Sequence, residues 1–290
     1  MESGAGMGGH TRRRRRPSAR LGAVAGALCL AACAGRLQLD GRVQPVEESS
    51  LSFTSLGRTI QVDAYVPEGQ GRRHPAAIVL HGSGGLHLIG GQSTQRYAEA
   101  LANRGIATYV VHYFDGTGTY TADDAVEARE YWRWVRVVRD AVGWVRVRSE
   151  VRPNRVGLFG ISLGAYVAVG AAATDPRVAR VVLLSGGLEP GTADSVRRFP
   201  SALMLHGTRD DVVPMAAEDT LARIVARHRG LVARHQYPGE GHSFADSAAV
   251  DVVERSARFL RDGAVETLKE ALLRTERLAV KPDTAQPRIP

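Results

Sequence analysis

Apolar and polar residues alternate through 51–56 and again through 59–66, with Gly57 and Arg58 near the junction. A period of two on either side of a glycine predicts a two-stranded hairpin. Beyond it the pattern changes. Short, nearly continuous apolar runs at 76–80, 107–111, 155–159, 181–184 and 202–205 are separated by longer stretches with apolar residues three and four apart, at 93–103, 131–145, 163–173, 214–229 and 250–260. Strands that are apolar on both sides are buried on both faces. The alternation of such strands with helices predicts an α/β fold with a mostly parallel, doubly wound sheet. Trp132, Trp134 and Trp144 are expected to pack their helix onto that sheet. With no internal repeat and no linker inside it, 49–262 reads as one domain, followed by a C-terminal helix and tail over 263–290.

The first residues follow another logic. Five arginines at 12–16, a charge-free apolar run at 21–30 and small residues after it have the three regions of a secretory signal peptide over 1–32. The apolar run is too short to span a bilayer. Leu30, Ala31, Ala32 and Cys33 resemble a bacterial lipobox, in which the cysteine is acylated and becomes the new N-terminus. Cys33 is therefore the expected lipid anchor and 33–48 the tether, placing the domain on a membrane of the bacterial envelope. The second cysteine, Cys29, lies within the signal segment, so no disulfide is expected in the domain.

Locating the charge changes its meaning. Six arginines and Glu2 fall within 1–32, so the formal +8 of the whole becomes +3 for the remainder, a mild value for a domain of this size. No basic stripe interleaved with aromatics is present, which argues against a nucleic-acid partner.

The chemistry is concentrated at the ends of the strand-like runs. Gly160, Ile161, Ser162, Leu163 and Gly164 stand between an apolar run and a helical one. That is the setting of a nucleophile elbow, whose turn is tight enough to demand glycines and whose helix N-terminus faces the developing oxyanion. A serine hydroxyl needs a base, and His242, flanked by Gly241 and Ser243 after the last strand-like run, is the candidate among nine histidines. The acid that orients it is sought in Thr208–Arg209–Asp210–Asp211, after the run at 202–205. Asp210, four residues before Pro214, is preferred, and Asp211 is expected to cap the following helix or complement its dipole. His81–Gly82–Ser83–Gly84–Gly85 closes the first core strand. The amide of Ser83 or Gly84, together with that of Leu163, is the expected oxyanion hole, with His81 a structural histidine. His87 and His112 are possible pocket-lining residues without an assigned role.

The order Ser, Asp, His on alternating strands and helices is that of the α/β-hydrolases. Through LHGSGG, GISLG, HGTRDDVVP and GEGHSF in that order, residues 51–260 resemble the dienelactone hydrolase family. The family's namesake enzymes carry cysteine in the elbow where this chain has Ser162, which moves the expectation from lactones towards serine esterases. The resemblance implies acyl transfer to water on a small ester, with no metal or organic cofactor; no protein partner is predictable from the sequence. An acyltransferase using the same residues and a catalytically silent, membrane-anchored binding lipoprotein remain alternatives. The short stretch 186–200 leaves no room for a lid, and loops 113–120 and 86–91 are expected to select the substrate.

Overall fold

The computed structural model describes residues 37–39, 43–69, 71–87, 89–189, 191–196, 198–228 and 230–263. The predicted signal peptide, Cys33, the first residues of the tether and the C-terminal helix and tail lie outside the described residues.

Eight strands form one sheet: β1 (Val46–Ser55), β2 (Arg58–Pro67), β3 (His74–Leu80), β4 (Ala107–Val111), β5 (Val151–Ile161), β6 (Arg180–Leu184), β7 (Ser201–Gly207) and β8 (Val232–Tyr237). Their order is β1-β2-β4-β3-β5-β6-β7-β8, antiparallel at the β1/β2 and β2/β4 pairs and parallel throughout the rest. The hairpin turns on Leu56 and Gly57, whose φ values of 52° and 72° suit the two-residue turns that match strand twist. Arg58 therefore opens β2 instead of belonging to the turn.

Both faces of β3, β4, β6 and β7 are buried, as their continuous apolar runs require. In β3, Ala76, Ile78 and Leu80 enter one core layer while Ala77 and Val79 enter the other, and β6 and β7 alternate in the same way. The first layer is covered by α2 (Asp124–Arg146), α3 (Leu163–Thr174) and α5 (Met215–Arg227). The second is covered by α1 (Ile89–Ala102) and α6 (Asp246–Asp262). A four-residue helix, α4 (Thr192–Ser195), is all that the β6–β7 connection adds. Leu37, Leu39 and Val46 rest on the second layer, so part of the expected tether lies on the fold.

α2 begins seven residues before the apolar periodicity does, because Asp123 caps it by accepting from the Val126 amide at 2.9 Å. Its tryptophans divide. Trp134 is fully buried and Trp144 stacks on Phe53 at 5.5 Å, but Trp132 is 46% exposed and does not reach the sheet.

Candidate active site

Ser162, Asp210 and His242 follow β5, β7 and β8, and the turn at 81–85 follows β3. All four segments lie at the carboxyl ends of parallel strands, the edge where open α/β sheets bind their ligands. At the elbow Ser162 has φ 52° and ψ −123°, a backbone conformation costly for a residue with a side chain. Its neighbours explain how the turn is held. A Cβ on Gly160 would stand 2.3 Å from the Gly164 carbonyl oxygen, and one on Gly164 would stand 2.4 Å from that of Leu80. Only glycine at both positions lets α3 start directly over the end of β3. The Ser162 amide donates to the Leu184 carbonyl at 2.9 Å, which ties the strained residue to β6.

The three predicted side chains meet. Nε2 of His242 lies 3.0 Å from Oγ of Ser162, and Nδ1 lies 2.9 and 3.1 Å from the two carboxylate oxygens of Asp210. The Asp210 side chain is fully buried. Burial pushes its carboxyl up, but the amides of Val213 and Val212 and the ring of His242 outweigh that and hold it below the usual carboxylate range. The loops bearing Asp210 and His242 are laced together: the Arg209 amide donates to the Glu240 carbonyl, and the Gly239 amide to the Thr208 hydroxyl. Glu240 in turn accepts from the Ala245 amide at 2.8 Å, closing the loop around His242. Asp211 does not cap α5: Pro214 is the N-cap with no side-chain hydrogen bond, and Asp210 takes the two loop amides instead.

Ser83 lines the same cavity as Ser162 and His242. Neither the amide of Ser83 nor that of Leu163, the first residue of α3, donates to a backbone carbonyl in the described turns and loops. The Gly84 amide likewise makes no such bond, so Leu163 and either Ser83 or Gly84 leave free donors beside Ser162. His81 behind them is structural: 1% exposed, its Nδ1 2.8 Å from the Gly82 carbonyl, its ring stacked on Tyr113 at 4.2 Å. The Tyr113 hydroxyl donates to the His81 carbonyl, and the Ala122 amide donates to that of Ser83.

A second histidine, which the sequence does not mark, reaches the acid. His206, 1% exposed, has Nε2 2.9 Å from the Val213 carbonyl and 3.2 Å from Asp210 Oδ2, while Nδ1 faces Glu218 Oε2 at 3.3 Å. A neutral imidazole carries one N–H and can donate to only one of these two sides. Burial pushes this ring's pKa down, but Glu218, the Val213 carbonyl and Asp210 together raise it above the ordinary histidine value. Glu218 continues the chain to Arg234 at 2.7 Å, and Arg234 to Asp219 at the surface. Only the fold brings Glu218 of α5 to its other side.

The cavity beside Ser162 measures about 250 Å³ and is lined from α1, α6 and the His242 loop by Arg96, Tyr97, Phe244 and Ala249, with Leu37 also contributing. Its two charged members, Arg96 and Asp246, pair with each other at 2.8 Å. Among the described residues, neither 113–120 nor Leu86, His87 and Gly91 line it. Tyr113–Gly116 is a buried 3₁₀ turn behind the glycine-rich segment, and Leu86 packs into the second core layer. Nor do His87, set against Tyr120, and His112, bonded to Asp63 at 3.0 Å, belong to its lining.

The chain is similar to several known proteins. It is 27% identical over 256 residues to an uncharacterized protein of Mycobacterium tuberculosis, spanning 76% of this chain and 85% of that one. A dienelactone hydrolase-like promiscuous phosphotriesterase, P91, from metagenomic libraries superposes with a TM-score of 0.63 at 16% identity, covering 74% of this chain and 97% of the other. An esterase of Pyrobaculum calidifontis gives 0.61 at 16% identity over 77% and 87%. Such distant superpositions establish the α/β-hydrolase fold. The family model for the dienelactone hydrolase family matches residues 62–272, from the second strand of the sheet past the candidate base, so the chain belongs to the dienelactone hydrolase family of ester hydrolases.

Proposed function

We propose that the protein is a serine esterase that hydrolyses small carboxylic esters through an acyl-enzyme on Ser162. The observation that carries this reading is the unbroken chain from Ser162 Oγ to His242 at 3.0 Å and on to Asp210 at 2.9 Å, starting from a serine held at φ 52°. His242 Nε2 takes the hydroxyl proton as Oγ attacks the ester carbonyl, while Asp210 accepts from Nδ1–H and stabilises the imidazolium. The negative charge moving onto the carbonyl oxygen is met by the amides of Leu163 and Ser83. His242 then gives its proton to the departing alkoxide, and water repeats the cycle to release the acid and restore the serine.

The cavity supports a small, uncharged substrate. At about 250 Å³ it falls below the usual range of drug-sized ligand sites, and its Arg96–Asp246 pair leaves no surplus charge to select an ionised group. The lipobox-like segment ending at Cys33 supports action at the bacterial envelope, with the domain held to the membrane by acyl chains.

Labelling with a fluorophosphonate probe tests the assignment. Wild type should be labelled, and Ser162→Ala and His242→Ala should not, with ester hydrolysis lowered by roughly three orders of magnitude or more. Absence of labelling in folded wild type would remove the enzymatic reading and leave a binding protein of the same fold.

A further inference from the structure

A cavity more spacious than the one at the elbow lies elsewhere. It measures about 680 Å³ and opens at the other end of the sheet, where β5, β6 and β7 begin and α2, α3 and α5 end. Arg146, Arg155, Arg177, Arg180, Arg198 and His228 line it. Such a concentration of guanidinium groups ordinarily comes with carboxylates, but here only Arg177 has one, bound to Asp175 through Nε at 2.9 Å and Nη2 at 2.7 Å. Arg146, Arg155 and Arg180 are fastened to main-chain carbonyls, of Pro153 at 2.8 Å, Arg261 at 2.6 Å and Leu260 at 2.6 Å. A carbonyl fixes the position of a guanidinium without cancelling its charge. Arg198 makes no side-chain hydrogen bond or ion pair among the described residues. Burial, and then the charge of Arg155, push the Arg180 pKa below its ordinary value, and Asp262 only partly offsets them.

Part of this charge answers the helices. α2, α3 and α5 end here, and Arg155 and Arg180 bond the last turn of α6; four C-termini worth about half a negative charge each are too little to balance four guanidinium groups that lack a carboxylate. The remainder is a preassembled set of N–H forks in a cavity the size of a ligand site, and forks of this kind match the oxygens of a phosphoryl group. We propose that this cavity is a binding site for a phosphomonoester or diphosphate group, separate from the hydrolytic centre and independent of the reading of Ser162. Two sources carry that chemistry, a soluble phosphorylated compound and the headgroup of an anionic lipid.

Pyrophosphate titrated into the full chain by calorimetry tests the site, with an Arg155→Gln/Arg198→Gln double variant as comparison. Both side chains are exposed, and an unchanged circular dichroism spectrum and Tm report that the variant is folded. The expected result is saturable binding by wild type that weakens at least tenfold in the variant. No saturable binding, or equal affinities, overturns the proposal. Flotation with phosphatidic acid in phosphatidylcholine vesicles, against phosphatidylcholine alone, separates the sources. The N-terminal segment is common to both proteins, so wild type exceeding the variant on the acidic vesicles assigns the lipid headgroup. Equal flotation alongside a retained pyrophosphate difference assigns a soluble ligand.

Discussion

Two residues on one side of His242 set how it works. Asp210 stands 2.9 Å from its Nδ1, and His206 touches the same carboxylate at 3.2 Å. Replacing His206 by glutamine keeps a hydrogen-bonding side chain at Asp210 but removes the ring that bridges it to Glu218. The carboxylate that orients His242 is then held less firmly, and kcat is expected to fall by about tenfold with little change in KM. A purely structural loss would lower Tm and leave kcat in place, so kinetics and a thermal melt together separate the two. Ser162 and His242 could be found from the sequence because their chemistry needs glycine neighbours that are rare together. Asp210 was separable from Asp211 by its distance from Pro214. His206 was hidden because its meaning depends on Glu218, brought to it by the packing of α5 on β7, and linear spacing carries no trace of that contact.

Among elements, the close seating of α3 on the end of β3 controls the oxyanion donors. Gly164→Ala would place a methyl 2.4 Å from the Leu80 carbonyl and 2.5 Å from that of His81, both backbone atoms that cannot swing aside. The strand end must shift, and with it the amide of Ser83. A loss of about 1–3 kcal/mol in a urea titration is expected, the usual range for overpacking, accompanied by a fall in kcat larger than any rise in KM. An unchanged kcat would disconnect the elbow from the glycine-rich turn. The strands and most helices could be read from periodicity because burial on one or two faces writes itself into the sequence. The beginning of α2 could not, since its first turns are held by the Asp123 cap and not by an apolar stripe. From its place after β4, loop 113–120 is expected to select the substrate, whereas Tyr113 and Phe114 surround the ring of His81 behind the site.

At the scale of the molecule, these buried groups give stability a dependence on pH with two opposing parts. Burial lowers His81 from 6.5 to about 4, so the folded state refuses a proton that the unfolded chain accepts. Stability is then lost as pH falls from 6.5 towards 4, by about 3 kcal/mol for so buried a ring. Glu127 works the other way. Burial first, and then the charges of Asp124, Glu189 and Asp123, raise it from 4.5 to about 7, so the fold keeps a proton that the unfolded chain has released. Its contribution is present below 4.5 and is lost as pH rises through 7. Glutamine imitates the protonated side chain, so Glu127→Gln should raise Tm at about pH 8 and make no difference at about pH 4.5. A gain of equal size at both values would trace the effect to helix propensity in α2 and not to the carboxyl. His81→Gln should flatten the fall in Tm between 6.5 and 4 even if it lowers Tm overall, because the slope reports the proton and the offset reports lost packing against Tyr113. Together the two variants distinguish a pH optimum built from two identified groups from one set by net charge, which neither substitution alters in the range where the other acts.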